Sequence, residues 1–153
     1  REIIDAVKPR RSFYTIEPMP WMVPDGPDEY LQLIKDVDRP QFAAHMDFVN
    51  MINCPRRFLD ASAFIETCFK KLGPHIKSCH IKDVELEAPF TTMLRETAPG
   101  RGALDYRPIL RAAHAHLSGG MPMLLEHMDS FEAYEAAFRH LESIAGELGI
   151  PIA

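Results

Sequence analysis

Four short strand-like segments alternate with longer stretches of helical periodicity, and this rhythm constrains the fold more than any other feature of the sequence. The strand candidates are residues 12–17 (SFYTIE), 41–47 (QFAAHMD), 75–83 (HIKSCHIKD) and 121–128 (MPMLLEHM). Between them a helix begins near Pro27, with Asp28 and Glu29 in its first turn and Tyr30, Leu31, Ile34 and Val37 along one stripe. Phe58, Ala61, Ile65, Cys68 and Leu72 share one face of a second helix, closed by Gly73 and Pro74. After the third strand a long connection ends in the turn sequence PGRG, followed by a helix over 105–117 that stops at Ser118-Gly119-Gly120. Ser130 caps a last helix whose apolar face is Phe131, Tyr134, Phe138, Leu141, Ala145 and Leu148.

Strands separated by helices imply an α/β fold with a parallel sheet. Two architectures satisfy that rule: an open doubly wound sheet, and consecutive units of a (β/α)8 barrel. After the first strand, where a doubly wound sheet usually carries its glycine-rich phosphate loop, stand Pro18, Met19, Pro20 and Trp21. The 153 residues, 46% hydrophobic and 25% charged, suit one domain with a buried core. A formal charge of -5 offers no field for a phosphate backbone, so nucleic acid is excluded as a partner. No apolar run is long enough for a membrane span or a secretory leader. Three cysteines, Cys54, Cys68 and Cys79, without CxxC spacing fit reduced thiols and a cytoplasmic location.

The chemistry lies in what ends each strand. Glu17, Asp47, His80 and Glu126 sit at or near the C-terminal ends of four successive strands, separated by 30, 33 and 46 residues. In a parallel α/β fold that edge is where ligands bind. A single acid there is more simply a solvated strand end, but four in successive units favour a common site. Alternation supports a shared face: Thr15, His45, Ser78 and Leu124 lie two residues before the four, while Ile16, Met46, Cys79 and Leu125 point the other way. Three carboxylates and one imidazole make an oxygen-rich set suited to a divalent metal, Mn²⁺ first, with Mg²⁺, Co²⁺ or Zn²⁺ as alternatives. Lys82 and Asp83 bind substrate, orient His80 or are simply solvated. Trp21, Met19 and Met22 form an apolar wall over the substrate or pack their loop, and Arg101 reaches an anionic group or only makes its turn. His75, His114, His116, His127 and His140 show no paired metal spacing and are read as structural or exposed.

The stretches TIEPMPW, HMDFVNMIN, CHIKD, PGRGALDYRPIL and MPMLLEHM resemble, in order and spacing, the C-terminal half of the xylose isomerase-like TIM-barrel superfamily, the sugar phosphate isomerase/epimerase group. The resemblance covers nearly the whole chain and implies that residues 1–153 are the C-terminal half of such a barrel domain. It implies Glu17, Asp47, His80 and Glu126 as metal ligands, with Glu17 and Glu126 as the catalytic pair that takes and returns a proton beside a carbonyl. Trp21, His45, Asn50, Lys82 and Arg101 are the expected substrate-binding residues. Two positions depart from the group's epimerases: Asn50 stands where a histidine follows the metal aspartate, and Leu86 where an arginine follows the metal histidine. The stretch CHIKDVELE is closer to inosose dehydratase-like members. Endonuclease IV-like members need a richer His/Asp cluster than this chain offers.

The expected function is therefore a divalent-metal-dependent isomerase or epimerase of a small sugar or polyol, working through a metal-stabilised enediolate. The alternatives are an inosose dehydratase-like lyase and a catalytically silent half-barrel subunit. Four βα units cannot close an eight-stranded barrel, so an N-terminal half-barrel or a second copy is the expected partner. The start at Arg1, inside a helical pattern, fits a piece of a longer chain.

Overall fold

A computed structural model describes residues 1–87 and 91–152. Residues 88–90 of the long connection, and residue 153, lie outside the described residues. In chain order the elements are helix α1 (Glu2–Val7), strand β1 (Tyr14–Ile16), α2 (Pro27–Val37), β2 (Phe42–Met46), α3 (Phe48–Met51), α4 (Pro55–Leu59) and α5 (Ala61–Leu72). There follow β3 (Ile76–Ile81), β4 (Asp83–Glu87), β5 (Met93–Thr97), α6 (Tyr106–His116), β6 (Met123–Leu125) and α7 (Phe131–Leu148).

The four expected strands form one parallel sheet in the order β1-β2-β3-β6. Its register pairs Thr15 with Ala43, His45 with Ser78, and His80 with Leu124, with an irregularity between Ala44 and His45. The long helices pack as α2 on α5, α5 on α6 and α6 on α7, a single layer that follows the strand order. A doubly wound sheet would place helices on both faces. This one-sided layer belongs to a barrel wall, and the fold is a run of four βα units.

Sequence chemistry explains the elements. Pro27 opens α2, where its missing N–H costs nothing. Asp105 and Ser130 cap α6 and α7 by accepting the N–H groups of Arg107 and Ala133, and Gly149, at φ 67°, ends α7. Between the layers lie Tyr30, Ile65, Cys68, Phe69, Leu72, Tyr106 and Ile109, all essentially buried, against Ala44, Met46, Ile76 and Cys79 of the sheet. Each large side chain buried this way contributes about 1.5–3 kcal/mol. Among the described residues, no helix is long and apolar enough to cross a membrane.

Three details depart from the sequence reading. The connection after β3 contains an antiparallel hairpin, β4 on β5, pairing Val84 with Glu96 and Leu86 with Leu94. β3 accordingly stops at Ile81, and Asp83 starts the hairpin. Phe58 does not continue the face of α5, because the backbone leaves helical geometry at Asp60 (φ -121°, ψ 37°) and separates α4 from α5. Finally, Phe131 and Phe138 stay exposed: the buried positions of α7 are Ala137, Leu141, Ile144 and Ala145.

Candidate metal centre

Glu17 and Glu126 each follow the last residue of an outer strand, β1 and β6; Asp47 follows β2, and His80 lies near the end of β3. Parallel pairing puts these ends on one edge, and one donor atom from each of the four lies within 4.8 Å of the others. His80 Nδ1 is 3.1 Å from Glu17 Oε1, 3.0 Å from Glu126 Oε2 and 3.8 Å from Asp47 Oδ2. Asp47 is fully buried and caps α3, its Oδ1 accepting the Asn50 N–H at 2.9 Å. That commits one oxygen and leaves Oδ2 facing the cluster.

The supporting residues come from β2 and β3, from α3, and from the residue that follows β3. The Asn50 side-chain amide donates to Glu17 Oε1 at 3.3 Å. His45 stands edge-on to His80, with ring centroids 4.1 Å apart, and its Nδ1 lies 2.5 Å from Ser78 Oγ. Its Nε2 is buried and, among the described residues, has no hydrogen-bond partner. Lys82 is 1% exposed, and its Nζ lies 2.6 Å from Glu126 Oε1, 2.9 Å from Asp47 Oδ2 and 3.0 Å from Glu96 Oε2. Of the residues expected from sequence, Glu17, Asp47, His80, Glu126, His45, Asn50 and Lys82 are thus brought together. Trp21 and Arg101 are exposed, and among the described residues neither makes a hydrogen bond or ion pair to this cluster.

One participant, Glu96, escaped the sequence reading, and Asp83 takes a different part from those expected of it: it is buried and holds a turn. Glu96 reaches in from β5 and links Lys82 to His127, whose Nδ1 is 2.6 Å from Glu96 Oε1. The alternation of MLRET, opposite DVELE, was the available signal for the hairpin that carries it. Asp83, fully buried, accepts the N–H groups of Val84, Gly100, Gly102 and Leu104 at 2.8 to 3.2 Å and folds the PGRG turn around itself. A Cβ at Gly102 would collide with that carboxylate, which is why glycine stands there.

Burial pushes the Asp47 carboxyl above its ordinary value, with the Lys82 charge pulling the other way. Burial acts in the same sense on Glu126, but there the Lys82 hydrogen bond and charge prevail and hold it below the usual range. Burial, aided by His80, holds the His45 imidazole below its usual value.

This donor set fits a hard divalent cation: three carboxylates and one imidazole converge, and the buried Asp47 keeps Oδ2 turned toward them, balanced by the Lys82 ammonium 2.9 Å away.

Comparison with known proteins agrees with the architecture. The family described as xylose isomerase-like TIM barrel matches residues 1–144. The xylose isomerase domain protein of Planctomyces limnophilus superposes with a TM-score of 0.65 at 21% identity, over 90% of this chain and 46% of that one. A xylose isomerase-like TIM barrel protein from Mycobacterium smegmatis, solved in complex with magnesium, gives 0.59 at 21% identity, over 86% of this chain and 44% of that one. The probable 3-DHS dehydratase AsbF of Bacillus anthracis gives 0.62 at 15% identity, over 94% and 52%. At these identities the likeness concerns the fold, and the chain spans about half the length of these structures. No curated protein matches the chain.

Proposed function

The chain belongs to the xylose isomerase-like TIM-barrel family, and we propose that it carries the metal-binding half of an isomerase or epimerase acting on a small sugar or polyol. The observation that carries this reading is the convergence of Glu17, Asp47, His80 and Glu126 from four strand ends to within 4.8 Å. These four would hold a divalent ion, which supplies positive charge against the negative charge that builds up when a carbon beside a carbonyl loses its proton.

The chain's own groups divide the remaining work. Glu17 and Glu126 come from the two outer strands of the sheet, and in this reading they are the two carboxylates that meet a substrate lying over the edge. One takes the proton and the other returns it; delivery to the opposite face of the carbon inverts it. The Asn50 amide fixes the orientation of Glu17, and Ser78 fixes the ring of His45. That leaves His45 Nε2 as the free group for a substrate hydroxyl. Trp21 and Arg101, on exposed loops, contribute to substrate only where that substrate or further chain covers the mouth.

A dehydratase on a keto-polyol is the second reading. Asn50, where the group's epimerases carry histidine, occupies itself with Glu17, and Leu86 on β4 offers a sugar oxygen no hydrogen bond. Incubation of keto-sugars and keto-polyols with Mn²⁺-loaded protein in D₂O, using the complete barrel that contains this chain, tests both. Epimerisation or isomerisation conserves the mass apart from deuterium exchange beside the carbonyl, whereas dehydration removes a water. Glu126→Gln is expected to abolish either turnover while leaving the circular dichroism spectrum unchanged.

A further inference from the structure

Lys82 poses a problem that the metal reading leaves open. Its ammonium is 1% exposed and lies among three carboxylates, so it cannot serve a ligand without abandoning one of them. Two of the three, Asp47 and Glu126, belong to the four-residue cluster. The competition reaches the level of single atoms. Asp47 Oδ1 is committed to the Asn50 N–H, so the oxygen left for an ion is Oδ2, which lies 2.9 Å from Lys82 Nζ. A dication and the ammonium therefore claim the same atom. The third carboxylate, Glu96, comes from the separate β4/β5 sheet and is outside the cluster. Its other oxygen is held by His127 at 2.6 Å, which keeps it aimed at Lys82.

We propose that Lys82 and Glu96 form a built-in counter-charge device for this centre: Lys82 neutralises Asp47 and Glu126 in the metal-free protein, and Glu96 retains the ammonium when a divalent ion takes those two carboxylates. Glu96 thereby sets metal affinity without being a ligand. The electrostatics favour such a device. Closely packed buried carboxylates repel strongly at low dielectric, so the metal-free centre needs a cation, and that cation needs an anion of its own once a second cation arrives. The hairpin, through Glu96, becomes part of the centre's charge balance.

This inference rests on the cluster binding a divalent ion, and calorimetric titration of the chain with Mn²⁺ separates the two claims. Glu96→Gln is expected to weaken Mn²⁺ binding at least tenfold, because Lys82 then has only the cluster's carboxylates to pair with. In a Lys82→Met background the same substitution is expected to change affinity by less than twofold. An equal loss in both backgrounds would make Glu96 a ligand or a plain charge and overturn the device. Should Lys82→Met fail to fold, the melting temperature decides: Glu96→Gln should shrink the rise caused by Mn²⁺, and an undiminished rise refutes the proposal. Wild-type protein that takes up no Mn²⁺ removes the metal reading itself, whereas equal affinity in wild type and Glu96→Gln removes only the role of Glu96.

Discussion

The middle of the parallel sheet and its two borders are built differently. β2 and β3 run for five and six residues, and their Ala44, Met46, Ile76 and Cys79 are fully buried. β1 and β6 are three residues each, with Tyr14 38% and Leu124 49% exposed. Next to β6, α7 leaves Phe131 76% exposed. The helices α5 and α6 seal the middle with a continuous apolar layer; at the borders the same βα pattern has one neighbour instead of two. Yet Glu17 and Glu126, the pair proposed to handle protons, stand on the border strands. The sealed middle of the molecule thus supplies Asp47 and His80, and the border strands, each with one neighbour in the described sheet, supply the groups proposed for chemistry.

Thiol chemistry offers the largest contrast. Burial pushes Cys68, in α5, and Cys79, in β3, up to about 12 each, whereas Cys54 lies half-exposed in a loop. At pH 8 the native protein should show one thiol reacting with a disulfide reagent and two reacting roughly a thousandfold more slowly until denaturant is added. Equal reactivity of all three would break the distinction between a sealed middle and open periphery. Phe69→Ala, at the centre of the layer, should cost roughly 3–5 kcal/mol in urea unfolding. Asp83→Ala should cost about 2–3 kcal/mol, since four backbone N–H groups lose a charged acceptor. Hydrogen exchange should then quicken at Gly100, Gly102 and Leu104 while β2 stays protected. Phe131→Ser, at the border, should change stability by no more than about 0.5 kcal/mol in this chain; a larger loss would mean that α7 buries more than the structure shows.

The same division explains what the sequence could tell. The four strands, their parallel order and the convergence of Glu17, Asp47, His80 and Glu126 were legible because each depends on a local pattern: a short apolar run, a helix after it, a polar residue at its end. The family resemblance agreed with that pattern. The hairpin had only a weak signal, the alternation of DVELE and MLRET, because Leu86 and Met93 are exposed and a solvated connection alternates charged and apolar residues in the same way. Glu96 follows from the hairpin, since its meeting with Lys82 and His127 depends on pairing between distant segments. Phe131 and Phe138 fit the helical period, but a period counts apolar positions and does not reveal whether anything covers them.

The account turns on the four strand ends forming one metal centre. Mn²⁺ titration of the 153-residue chain, followed by electron paramagnetic resonance, tests it most directly. The expected result is one tightly held ion per chain, lost or weakened at least tenfold in Glu126→Gln with the fold retained. Absence of a bound ion in the folded wild-type chain, or an affinity that Glu126→Gln leaves unchanged, would contradict it.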